Sequence, residues 1–160
     1  MKNFENKTKI KKVGKDLRDV IGLFLIIIVL AGVPLIVQDV VKGYREGGWT
    51  LFHAISDLVV FPVYSIFLFQ LFRFFGRVAK GYLFDAQTVA KLDAAGRWLI
   101  AYWFCKSLYV IIATACYPGV MDSQVNNFSL SELLLGFGLI LTAWLFREAQ
   151  ELQDEQKLTV

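Results

Sequence analysis

One lysine sits where a charge is costly. Lys106 falls near the middle of an apolar stretch that runs from about residue 97 to residue 117. A lone ammonium at the centre of a membrane helix costs about 2.5–3.5 kcal/mol on insertion scales. It needs a partner, a cavity or a route to the surface. Neighbouring apolar stretches supply three polar side chains, His53, Asp57 and Glu132. At 1.5 Å per residue, Asp57 would lie about 9 Å below the outer membrane surface and Lys106 about 16 Å below it. A lysine stem bridges much of that gap by reaching outward. The expected arrangement is a Lys106–Asp57 ion pair, with His53 or Glu132 beside it. Such a pair would fix the order of the helices, or would hold a ligand or a proton. An unpaired Lys106 reaching the surface alone is the third option.

Other chemistry finds little footing. His53, Asp57 and Glu132 have no fixed spacing, which is a weak basis for a metal site. The two cysteines, Cys105 and Cys116, lie about three helical turns apart, too far to bond to each other. They read as small apolar residues. There is no Cys-x-x-Cys, and His53 is the single histidine, so a structural zinc or iron–sulfur site lacks ligands. Neither thiol has a histidine one turn away to activate it, and no catalytic triad, phosphate loop or zinc-protease motif occurs. No cofactor is expected, and no enzymatic activity.

The elements that must position these residues are apolar helices. Of 160 residues 56% are hydrophobic, and the mean hydropathy is +0.52. Soluble domains usually sit nearer 45–50%. The 19% of charged residues must therefore be segregated. Four spans of about 20 residues use roughly half the chain, leaving no room for a soluble catalytic domain. The spacing predicts an all-α membrane protein with four transmembrane helices in two hairpins, at about 20–41, 51–72, 97–117 and 129–146. Residues 1–19 form a basic tail and 147–160 an acidic one, around a transmembrane domain at 20–146. The first apolar run is too long for a signal peptide and lacks a cleavage site. Pro34 is expected to bend span 1, and Pro62 to interrupt span 2. Between spans 2 and 3, Asp85 reads as a helix cap, with Phe84 and Val89 at the staple positions. A short amphipathic helix over about 85–95 follows, with Val89 and Leu92 against the membrane and Gly96 separating it from span 3. Pro118-Gly119 ends span 3. Ser129 and Glu132 make a capping box for the fourth helix, flanked by Phe128 and Leu133.

Charge sets the orientation. Only Lys42 and Arg45 fall in the loops opposite the N-terminus, and Lys106 lies within a span; every other one of the 17 lysines and arginines falls on the N-terminal side. The positive-inside rule then places both ends in the cytoplasm. The basic tail suits anionic lipid headgroups, each lysine near such a surface contributing about 1 kcal/mol. That accounts for the pI near 8.9 without direct contact with nucleic acid.

The second half carries a recognisable pattern. Gly81-Tyr-Leu-Phe-Asp-Ala-Gln-Thr-Val-Ala-Lys-Leu-Asp-Ala-Ala-Gly96 precedes a span. Phe128-Ser-Leu-Ser-Glu-Leu follows, then Gly138-Leu-Ile-Leu through Phe146-Arg-Glu, and the chain ends Leu152-Gln-Asp-Glu-Gln-Lys-Leu-Thr-Val160. Over residues 81–160 this resembles the DUF2975 family of small bacterial four-span membrane proteins, which has no assigned activity; the resemblance implies a location in the bacterial inner membrane. Ser123 and Ala149 stand where the family pattern commonly has glycine. The resemblance implies a genetic neighbour, since members are often encoded beside a small helix-turn-helix DNA-binding protein. A membrane protein that holds or inhibits a regulator is the corresponding expectation.

A candidate surface for that role exists. Glu148, Glu151 and Glu155 fall on one side of a helix. They would dock a basic partner by charge complementarity, lie against the chain's own basic tail, or simply be solvated. Gly136 and Gly138, with Ala113 and Ala115, suit close helix packing within the chain or with a second copy. The expected function is non-enzymatic: regulation or tethering of a cytoplasmic partner such as a helix-turn-helix protein. The alternative is a small-molecule or ion binding or transport subunit using Lys106, Asp57 and His53.

Overall fold

The computed structural model describes residues 2–83, 85–117 and 130–158. They form four helices: α1 (Lys2–Glu46), α2 (Gly48–Ala79), α3 (Ala86–Cys116) and α4 (Leu130–Leu158). Each contains a segment long and apolar enough to cross a membrane. By length and composition the chain is a multi-pass membrane protein. Large apolar side chains point outward along it, among them Leu23, Leu30, Phe104, Ile111, Leu134 and Leu141. In water such a surface would drive aggregation; in hydrocarbon it carries no penalty.

The helices pack in chain order, α1 on α2, α2 on α3 and α3 on α4. Between helices in lipid, contact depends on close backbone approach, which small residues allow. Gly14, Gly32 and Gly43 line the α1–α2 seam. A Cβ on Gly14 would come within 2.9 Å of the Ala79 backbone nitrogen, and one on Gly43 within 2.8 Å of Leu51 Cα. The turn at the top of this hairpin uses Gly47 and Gly48, with φ of 69° and 53°, a region that residues with a Cβ avoid. On the α3–α4 seam, a Cβ on Gly96 would meet the Gly136 carbonyl oxygen at 2.8 Å. Gly138 has nothing within 4 Å. Ala113 is buried while Ala115 is exposed. So of the small residues expected to pack, Gly136 and Ala113 do, and the other two face outward.

Three expectations are corrected. No separate amphipathic helix precedes span 3: α3 is continuous from Ala86 to Cys116 and passes through Gly96. Val89 and Leu92 do not face lipid but are 2% and 4% exposed, packed with Phe74, Val78 and Ala143. The reason is length. α2 and α4 both extend past their apolar runs and enclose the first turns of α3, so its apolar stripe is claimed by protein. α2 also continues through Pro62, where an interruption was expected, α1 continues through Pro34, and α1 takes in the basic segment as well as the first apolar run. At 45 residues it is about 67 Å long. The expected contributions of Phe84, the Pro118-Gly119 end, and the capping residues Phe128 and Ser129 lie outside the described residues.

Candidate functional site

The helix registers give the depth of Lys106. Gly32 meets Phe61 across the α1–α2 seam, and Tyr64 meets Tyr102 with ring centroids 5.0 Å apart across α2–α3. The Gly96–Gly136 approach then sets α4 so that Glu132 lies about level with Tyr102. All of these fall within about a turn of one height. On α1 that height is about 18 Å from Val20, where the charge-free apolar run begins. Lys106 and Glu132 thus sit deep within the apolar layer.

They sit there as a pair. The Lys106 ammonium donates to Glu132 Oε1 at 3.1 Å and Oε2 at 3.4 Å. It also lies 5.8 Å from the centre of the Tyr102 ring, a favourable place for a cation. Both side chains are mostly enclosed, at 29% and 27% exposure. Glu132 occupies the first turn of α4, where the helix dipole favours a carboxylate.

Asp57 is not the partner of Lys106. It stands at nearly the right height on the wrong face. Tyr109 turns toward α2, and Lys106 is about 60° round the helix from it, toward α4. Asp57 instead faces its own helix neighbour, with Oδ2 3.7 Å from His53 Nδ1. His53 Nδ1 is also 3.4 Å from the Tyr109 hydroxyl. So the four candidates divide into Lys106–Glu132 between α3 and α4, and His53–Asp57 on α2 against Tyr109. The second group adjoins an aromatic cluster of Trp49, Phe52, Tyr109 and Tyr117, whose rings stand 5.3–6.2 Å apart. These rings fill one another's space, and tryptophan and tyrosine side chains of this kind suit the headgroup level of a membrane. Among the described residues no three His, Cys, Asp or Glu side chains come together to hold a metal ion. Cys105 and Cys116 are free thiols.

At the opposite end Arg77 joins α2 to the start of α3. It donates through Nε to Thr88 Oγ1 at 3.0 Å and through Nη1 to Gln87 Oε1 at 2.8 Å, and Nη2 pairs with Asp85. Its guanidinium lies over the Tyr82 ring. Asp85 occupies the N-cap position without a side-chain cap bond, because Arg77 has claimed its carboxylate. The sequence marked Asp85 but gave no sign of Arg77, since a contact eight residues away across a turn has no helical periodicity. Beyond Phe146, α4 stays helical to Leu158, and Glu148, Glu151 and Glu155 are exposed. The exposed Leu152 lies on the same side, one turn after Glu148.

The family described as "Protein of unknown function (DUF2975)" matches residues 50–160. No curated protein matches the chain. No solved structure matches it.

Proposed function

We propose, from the premise that the chain belongs to the DUF2975 family, that it is a non-enzymatic protein of the bacterial inner membrane that tethers or regulates a basic cytoplasmic partner. A small helix-turn-helix DNA-binding protein is the partner whose chemistry fits. The observation that carries this reading is the extension of α4. The helix runs about 18 Å past Phe146 as a continuous arm. Its exposed acids flank an exposed leucine, Leu152. A DNA-binding surface is cationic, so an acidic helix with an apolar centre competes for it by charge complementarity. Both termini lie in the cytoplasm on this reading, as the positive-inside rule favours. The chain itself makes no contact with nucleic acid.

Crosslinking in the native host followed by purification of the tagged protein tests this. The expected result is a basic DNA-binding protein that is lost when Glu148, Glu151 and Glu155 are changed to Lys together. That protein, purified, should bind the wild-type membrane protein in detergent and not the variant. A partner that survives the charge reversal overturns the reading. The alternative, ligand or ion handling by Lys106, Asp57 and His53, is weaker because Lys106 and Asp57 take different partners.

A further inference from the structure

The basic segment of α1 does more than carry charge. Gly14 brings α1 so close to α2 that Val78 and Ala79 fill the space a side chain would take. Lys11 stands one turn before Gly14 and Lys15 one residue after it, so both are fixed beside the end of α2. There the chain turns through Lys80 and Gly81, whose φ is 92°. The Lys11 stem crosses this turn, with Cε 2.5 Å and Nζ 3.2 Å from where a Gly81 Cβ would lie. Glycine is needed here for the backbone angle, and the flexible end of the Lys11 side chain occupies the space above it.

The result is a cleft with two linked parts. One is a cavity of about 540 Å³ between Ile10, Lys11, Lys80, Tyr82 and Leu83, with Asp85 at its wall. The other is a groove that continues along Lys12, Lys15 and Arg18. The acids nearby are already engaged: Asp85 by Arg77, and Asp19 by Arg18 at 2.6 Å. Asp16 is on the same helix but does not line either part. Among the described residues no carboxylate stands within ion-pair distance of Lys11, Lys12, Lys15 or Lys80. Four lysines therefore line the two parts, and the one carboxylate at the wall, Asp85, is already paired with Arg77.

Depth identifies the anion. Lys15 lies about 8 Å, and Lys11 about 14 Å, along the helix axis from Val20. The headgroup zone extends about 5–8 Å beyond the hydrocarbon, and lysine stems reach back toward it. The groove thus opens at headgroup level at Lys15 and leads outward to the cavity at Lys11, whose walls include the exposed apolar surfaces of Ile10 and Tyr82. A freely diffusing phosphate needs no such wall; a phosphodiester with glycerol attached does. We infer that the cleft formed by Lys11, Lys15 and Lys80 between α1 and the α2–α3 turn is a binding site for the phosphate headgroup of an anionic phospholipid. It is a built site, distinct from diffuse attraction of the tail to the membrane surface.

Native mass spectrometry of the full chain, released from nanodiscs holding equal phosphatidylglycerol and phosphatidylcholine, reads this out. The wild type should retain phosphatidylglycerol at least tenfold over phosphatidylcholine. The variant Lys11→Gln/Lys15→Gln/Lys80→Gln keeps the stems and should lose that preference; each lysine near an anionic surface is worth about fivefold. The control Arg73→Gln/Lys91→Gln/Arg97→Gln removes equal charge from the same end, outside the cleft, and should keep it. Helical circular dichroism confirms that both variants fold. Equal loss in both variants means diffuse electrostatics and overturns the site. Pyrophosphate added to phosphatidylcholine nanodiscs separates the two sources. Lysine-dependent pyrophosphate binding without phosphatidylglycerol retention would assign the cleft to a soluble phosphate and overturn the lipid.

Discussion

The Lys106–Glu132 pair can be weighed by a double-mutant cycle. Lys106→Met leaves a carboxylate, and Glu132→Gln an ammonium, about halfway through the apolar layer. A single charge at that depth costs about 2.5–3.5 kcal/mol on insertion scales. Two features of the molecule reduce this. Each side chain keeps about a quarter of its surface accessible, at 29% and 27%, and the unfolded chain in a membrane also finds partners for polar groups. Halving the figure gives about 1.5 kcal/mol for each single change. The double variant removes both charges and leaves two side chains of similar length, so it should cost under ~1 kcal/mol. The coupling energy is then about 2 kcal/mol, within the range for residues in direct contact. Unfolding by SDS in mixed micelles, followed by tryptophan fluorescence, measures all three variants. Asp57→Asn supplies the contrast and should show no coupling to Lys106→Met. A Lys106–Glu132 coupling below ~0.5 kcal/mol, or a larger one with Asp57, would refute the assignment.

Further outcomes follow from the seams and the turn. Gly96→Val should destabilise by about 1–3 kcal/mol, because its side chain would meet the Gly136 carbonyl and Ile140 within 2.8 Å; Gly138→Val, facing open space, should be nearly neutral in the same SDS titration. Arg77→Ala should leave the fully buried Thr88 hydroxyl without its donor, at a cost of about 1–3 kcal/mol, seen as faster hydrogen exchange across residues 80–88. Arg77→Lys should recover only part of that, since an ammonium cannot reproduce the forked contacts. Reporter fusions at both termini should be active only on the cytoplasmic side, and a fusion after Glu46 only outside it; the reverse pattern would sink the proposed orientation.

The four apolar runs were legible because each is long, free of charge over most of its length, and separated by turns or charge clusters. Their true ends were not, because propensity continues where hydropathy stops. The basic residues before Val20 and the acidic ones after Phe146 are good helix formers, so α1 and α4 run on beyond the apolar stretch. Val89 and Leu92 form an amphipathic stripe that membrane interface and protein core would serve equally well. Only the placement of Phe74 and Ala143 decides between them. Lys106 announced itself by its cost, yet its partner could not be read. A depth estimate placed Asp57 within reach, but which side of α3 faces which helix is a tertiary property. Glu132 was visible mainly as half of a capping box, a local role that hid its use as a counter-charge.

Small residues and the buried pair specify different things about α3 and α4. Gly96 and Gly136 let the backbones touch, and such contacts depend on shape. A seam of that kind fixes which faces meet, but it resists sliding weakly, because lipid offers apolar surface as good as the neighbouring helix does. An ion pair resists sliding strongly. A slip of one turn moves the partners about 5.4 Å, which would take Glu132 from hydrogen-bond distance to isolation in the apolar layer. The pair therefore acts as a height stop on a seam that glycines hold together. This is the attested use of buried charge, to set register more than to add stability. It also explains why the costliest residue in the sequence is compatible with a protein whose proposed work lies at its basic end: Lys106 holds the α4 arm at a fixed height, and the arm carries Glu148, Glu151 and Glu155 to where a partner can meet them.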